Sequence, residues 1–143
     1  MSAQLPGAGR IPLSFNQEFM CALDEGDESG PFGPRYHMVY GWRIGGRIDL
    51  DVLQGALDDV VARHEALRTR VVRGEHPYQE INPPSSPTLT VRDLTGTHPA
   101  DRDRVAEELL IEIEADRYGT TRLPLLHAVL GRFDDQDAVL ALT

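Results

Sequence analysis

Between Tyr36 and His64 the hydrophobic period of the chain changes from two to three-and-four, and this change most narrows the folds open to it. Tyr36, Met38, Tyr40 and Trp42 alternate with His37, Val39, Gly41 and Arg43, the pattern of a pleated strand over Tyr36 to Ile44. Gly45 and Gly46 then turn the chain. After them Leu50, Leu53, Leu57, Val60, Val61 and His64 fall on one face of a helix that Asp49 can cap. A chain that makes both kinds of element side by side must pack helix on sheet.

The rest of the sequence repeats the alternation of types. Ser14 followed by Gln17 has the spacing of a capping box, and Phe15, Phe19, Met20 and Leu23 form the apolar stripe of a short first helix. Asp24 to Pro34, rich in glycine and proline, ends that helix in a loop. Leu67 to Arg73, a turn at Gly74 to Pro77, and Tyr78 to Ile81 read as a strand hairpin, and Leu89 to Arg92 as a further short strand. A second long helix is expected from Asp101, as its cap, to Arg117, with Val105, Leu109, Leu110 and Ile113 inward. Leu125 to Arg132 and Ala138 to Leu142 are joined by the polar turn Asp134 to Asp137, which suits an antiparallel pair. The second of these is apolar without alternation, as a strand covered on both faces near the middle of a sheet would be. The expectation is an α/β fold, a mixed sheet packed with helices around one core, preceded by a flexible lead-in over residues 1–10.

Charge and composition exclude several functions. The chain has 143 residues, 23 acidic against 14 basic, all of the latter arginine, for a formal net charge of −9. Such a chain repels phosphate backbones and anionic lipid surfaces, so neither nucleic acid nor membrane is expected as a partner. The apolar stretches around Leu123 to Leu130 and Ala138 to Leu142 fall well short of the ~18 residues that span a bilayer. Met1 to Ile11 lacks the basic start and apolar core of a secretory signal, and the single cysteine, Cys21, has no internal partner, which together suggest a cytoplasmic protein. No histidine or cysteine pair has ligand spacing and the aspartate-rich turn lacks the glycine and glutamate of a calcium loop, so no metal site is expected.

At the end of the first long helix the chain reads Arg63, His64, Glu65, Ala66, Leu67, Arg68, Thr69. This string resembles the RHExLRT core motif of condensation domains of nonribosomal peptide synthetases at each fixed position. Upstream, Pro12, Leu13, Ser14, Asn16 and Gln17 resemble the family's first motif, with Asn16 in place of the usual alanine and Phe19 where an arginine is common. Downstream, the VRDL string (Val91 to Leu94), the helix after it and the final strand pair follow the family's order of elements. The resemblance covers roughly Ile11 to Thr143.

The resemblance implies the N-terminal lobe, over residues 11–143, of a chloramphenicol-acetyltransferase-like fold in which two lobes form a V around a channel. It implies an amide-forming reaction between donor and acceptor thioesters held on the phosphopantetheine of peptidyl or aminoacyl carrier proteins, with the C-terminal lobe as a further partner. In the family an HHxxxDG motif directly follows the strand that here ends at Thr143. None of His37, His64, His76, His98 and His127 is adjacent to another histidine or near an Asp-Gly pair, so no catalytic residue is expected within this stretch. Unaided amide formation by it is therefore not expected, nor any cofactor bound beyond the partner's phosphopantetheine. Two other readings stay open, a noncatalytic module that docks carrier proteins and a related acyltransferase acting on an alcohol or amine.

Individual residues admit structural roles too. Arg63 and His64 suit the negative end of a helix, and His64, on the apolar stripe, suits a neutral imidazole bonded to a carbonyl. Arg68 and Arg70 share one face of the expected strand and could meet an anion or pair with Glu65 and other acids. His127 and Arg122 could line a channel, and Tyr36, His37, Tyr40 and Trp42 either pack in the core or form an aromatic wall. Ending on an apolar strand, the chain is expected to leave an open edge or an apolar patch there, at which a partner or a second copy could associate.

Overall fold

In the computed structural model, which describes residues 10–26, 29–120 and 122–143, helices pack on both faces of a four-stranded sheet. The chain runs through α1 (Phe15–Leu23), β1 (Tyr40–Gly45), α2 (Leu50–Arg63), a 3-10 turn (Glu65–Arg68), β2 (Thr69–Val72) and β3 (Tyr78–Ile81). It continues with β4 (Thr88–Asp93), a second 3-10 turn (Pro99–Asp101), α3 (Arg102–Ala115), β5 (His127–Arg132) and β6 (Asp137–Leu142). The main sheet has the order β1-β6-β5-β4, antiparallel except for the parallel pair β4 and β5, and β2 with β3 forms a separate hairpin. The mixed α/β architecture expected from the alternating periods is what the chain adopts. The expected lead-in falls on residues 1–9, outside the described residues, and on Arg10, whose guanidinium lies 4.7 Å from the centre of the Tyr78 ring.

The hydrophobic interior divides where one core was expected. Successive residues of a strand face opposite sides of its sheet. Accordingly Val129, Val139 and Ala141 pack with Ala106, Leu109 and Ile113 of α3, whereas Ala128, Leu140 and Leu142 pack with Leu57 and Val61 of α2. Two clusters therefore sit back to back across the sheet. The unalternating β6 lies between β1 and β5, as its apolar run on both faces requires, and its backbone is paired on both sides. The open edge expected there does not exist; the edges of this sheet are β1 and β4 among the described residues.

Several local expectations are met and others corrected. Asp49 caps α2 through its carboxylate, which accepts from the Asp51 and Val52 amides at 2.9 and 3.2 Å. Ser14 and Gln17 form the reciprocal capping box, with bonds of 2.8 and 3.3 Å. Asp101 makes no side-chain cap; a 3-10 turn, capped by His98 Nδ1 accepting from Ala100 N at 3.3 Å, leads into α3 instead. The strand expected from Tyr36 begins only at Tyr40, where pairing with Leu142 starts. Leu67 and Arg68 belong to a 3-10 turn and not to a strand, so Arg68 and Arg70 do not share a strand face. Gly46, with φ +113°, turns the chain between β1 and α2 and donates its amide to Gln136 O at 2.8 Å.

Candidate functional site

Sheet register brings the start of β1, the start of β5 and the end of β6 to one end of the sheet. Tyr40 pairs with Leu142, Ala128 pairs with Leu142, and His127 exchanges backbone hydrogen bonds with Thr143 at 2.8 and 2.9 Å. The segment before β1 and the connection between α3 and β5 close around this end and leave a groove of about 400 Å³. Its walls are largely apolar and aromatic, and include Tyr36, Met38, Tyr40, Trp42, Tyr118 and His127.

The aromatic residues are arranged in contact. Tyr40 and Trp42 stack with centroids 6.2 Å apart, the His37 ring meets Tyr118 edge-on at 5.1 Å, and Tyr118 meets His127 at 4.9 Å. The His37 ring lies between the segment before β1 and α3, with Nδ1 3.2 Å from Pro34 O of its own segment and Nε2 3.3 Å from Ile113 O of α3, both carbonyls being acceptors for the ring N–H. Tyr36, Tyr40 and Trp42 stay 65%, 54% and 49% exposed. Core packing was the first expectation for this group; the structure makes it an aromatic wall, with Tyr36, Tyr40 and Trp42 left exposed while Gly41, on the opposite face of β1, lies against Leu110 of α3.

His127 and Arg122, the pair expected from the sequence to line a channel, are also neighbours in space. Both line a second pocket of about 290 Å³ that adjoins the groove, sharing Tyr118, Gly119 and His127 with it. Burial holds the His127 imidazole below its ordinary pKa, and the positive charge of Arg122 adds to the effect. The Tyr118 phenol is pushed up, chiefly by burial and then by the carboxylate of Asp116.

The string Arg63 to Thr69 braces this end of the sheet. Arg68 Nη1 donates to Asn82 O at 2.8 Å and its Nη2 reaches Glu65 Oε1 at 3.5 Å, while the Thr69 hydroxyl donates to Glu65 O at 2.7 Å. Leu67 accepts from Leu125 N at 2.6 Å through its carbonyl, and its side chain lines the groove. Arg68 Nε is buried with no hydrogen-bond partner among the described residues. Arg63 is the last residue of α2 and His64 joins the helix to the 3-10 turn, its carbonyl accepting from Leu67 N at 3.0 Å; His64 is exposed, not on the buried face its spacing suggested, because the helix ends one residue before it. Ser14 and Gln17 serve α1 and do not line the groove.

Sequence reasoning missed Tyr118, Leu125, Leu142 and Thr143 as groove residues. An aromatic residue beside Gly119, after a helix, was the one available signal. Among the described residues no cluster of His, Cys, Asp and Glu is arranged to hold a metal ion, and no helix is long and apolar enough to cross a membrane.

Comparison with known proteins places this arrangement. A family model described as Condensation domain matches residues 8–143. Phosphinothricin tripeptide synthetase PhsC of Streptomyces viridochromogenes is 34% identical over 136 residues, 94% of this chain and 12% of that protein. Chondramide synthase cmdD of Chondromyces crocatus is 32% identical over 142 residues, 96% of this chain and 4% of that protein. The crystal structure of SgcC5 from Streptomyces globisporus, in complex with (R)-(−)-1-(2-naphthyl)-1,2-ethanediol and sucrose, superposes with a TM-score of 0.84 at 52% identity, covering 92% of this chain and 30% of that one. The chain thus spans a small part of the relatives it matches.

Proposed function

Since the chain belongs to the condensation-domain family, we propose that residues 11–143 form the N-terminal lobe of a domain that joins a carrier-bound acyl thioester to an acceptor amine. The acceptor amine attacks the thioester carbonyl, an amide forms and the carrier thiol leaves. Phosphopantetheine enters as the carrier protein's arm. The observation that carries the reading is the groove at the end of the sheet, braced by the Arg63 to Thr69 string and walled by aromatic residues, in a chain whose relatives include a tripeptide synthetase.

In this reading the lobe contributes a wall and a scaffold. The exposed stripe Phe15, Phe19 and Leu23 of α1 and the wall Tyr36, Tyr40 and Trp42 are too large and too apolar for ordinary surface. They suit the face on which a C-terminal lobe packs, in the same chain or a separate one. The net charge of −9 disfavours a nucleic acid or a membrane as partner.

A second reading has its own support. The SgcC5 relative, 52% identical, was solved with an aryl 1,2-diol, and a hydroxyl can replace the amine as the attacking group, giving an ester. Mass spectrometry of products from the whole domain, offered a carrier-loaded acyl donor with an amine or an alcohol acceptor, separates the two. An amide product upholds the first reading, an ester the second, and no transfer from a loaded donor to either acceptor overturns both in favour of a noncatalytic docking module.

A further inference from the structure

Tyr36 stands between two concavities. It lines the groove of about 400 Å³, and it also lines a pocket of about 340 Å³ at the end of α1, where Leu23 and Pro31 are among the other walls. Among the described residues it alone is common to both.

The Tyr36 side chain is also the one tyrosine side chain of the four without a partner among the described residues. Tyr40 stacks on Trp42 and donates to Met38 Sδ at 3.6 Å, Tyr78 lies under the Arg10 guanidinium, and Tyr118 meets His37 and His127. The backbone on either side of Tyr36 is held nonetheless. Tyr36 N donates to Gly33 O at 3.4 Å, the Thr120 hydroxyl donates to Phe32 O at 3.0 Å, and the Arg73 guanidinium lies 5.3 Å from the centre of the Phe32 ring. On the other side the His37 ring meets Ile113 O of α3. An exposed side chain on a fixed backbone moves by hopping between staggered rotamers, within picoseconds to nanoseconds. A swing of the Tyr36 ring therefore changes the division between the two spaces without movement of the chain.

We infer that Tyr36 is a gate that sets the length of ligand the groove accepts. A ligand that fits within the groove leaves the ring in place and packs against it. A longer apolar chain displaces the ring, loses that contact, and enters the pocket at the end of α1, where Leu23 and Pro31 offer apolar surface. This rests on the reading of the groove as the substrate-holding face, and it adds the residue that selects among substrates by length.

Binding of phenylalkanols with two to eight methylenes to the chain tests the gate without any acyl transfer. The readout is the fluorescence of Trp42, the only tryptophan of the chain and a groove residue. Tyr36→Ala should tighten binding of phenyloctanol by about tenfold or more, since each methylene newly buried is worth about fourfold in affinity, while phenylethanol binds no tighter. Tyr36→Phe keeps the ring and should match the wild type along the series. Met38→Ala, which alters the groove and not the outer pocket, should change short and long members alike. Tyr36 is exposed, so equal urea midpoints of wild type and variants are expected and check that the fold is intact. An unchanged length profile in Tyr36→Ala, a uniform loss of affinity along the series, a Tyr36→Phe profile like that of Tyr36→Ala, or no saturable binding of any member overturns the gate. Failure of acyl transfer in the whole domain, with the length effect of Tyr36→Ala intact, sinks the condensation reading alone.

Discussion

Arg43 grips Asp137 with two hydrogen bonds, Nε to Oδ1 at 2.5 Å and Nη2 to Oδ2 at 2.6 Å, across the seam between β1 and β6. Arg102 of α3 adds a third bond to Oδ2 at 2.7 Å, and both guanidiniums lie over the Phe133 ring, at 4.5 and 5.5 Å. One carboxylate thus ties the edge strand, the β5–β6 turn and a helix.

These bonds lower the Asp137 pKa to about 2, the Arg43 hydrogen bond being the largest cause. A carboxyl that binds its proton less readily when folded adds stability above its unfolded pKa of ~3.9 and loses it as the pH falls through the folded value. Urea midpoints of the wild-type chain should therefore drop between pH ~4 and pH ~2, and Asp137→Asn should remove that part of the drop. Asp137→Ala should cost about 1–3 kcal/mol at pH 7, because two arginines lose charge-assisted bonds. Equal acid sensitivity of wild type and Asp137→Asn would count against the tie.

The sheet interior leaves little room for change. Gly131 on β5 faces Leu94, Leu109 and Val139, and an added Cβ would come within 2.7, 2.9 and 3.0 Å of them. Three side chains packed against one core cannot all yield, so Gly131→Ala should destabilise by about 1–3 kcal/mol. Gly45→Ala, where nothing lies within 4 Å, is the control and should change the urea midpoint far less.

Leu130 is fully buried on the α2 face of β5. Leu130→Ala removes buried volume between two fixed layers and should cost about 2–5 kcal/mol. A chemical denaturation curve reads this directly, and a loss below about 1 kcal/mol would mean that the site collapses to fill the space.

Loss of the capping box should stay local. Ser14→Ala removes an acceptor for the Gln17 amide, worth about 0.5–2 kcal/mol to the helix. Since α1 buries no residue, faster amide exchange at Gln17 and Glu18 is expected, with the exchange of β5 and β6 unchanged.

His127 should titrate below the ordinary histidine value in an NMR pH series, because burial disfavours its cation and Arg122 repels it. The unfolded chain then binds the proton more readily, so this residue withdraws stability as the pH falls through the histidine range. Arg122→Gln should raise its pKa in part, leaving the effect of burial. A His127 pKa at or above that of a free histidine would refute this account.

Local chemistry determined much of this protein before any contact was known. The periods of two and three-and-four set the element types, Asp49 and the Ser14–Gln17 pair set helix starts, and the Arg63 to Thr69 string named the family. The unalternating run at Ala138 to Leu142 foretold an interior strand. Tertiary structure decided what no local pattern encodes. Whether Tyr40 and Trp42 lie in a core or on a wall depends on what packs over that face of β1, and His64 leaves the apolar face because α2 stops at Arg63. The groove joins Tyr36, Tyr118 and Thr143, residues far apart in the chain that meet only through strand register and helix packing. Period and capping act over a few residues, whereas a site depends on where distant segments come to rest.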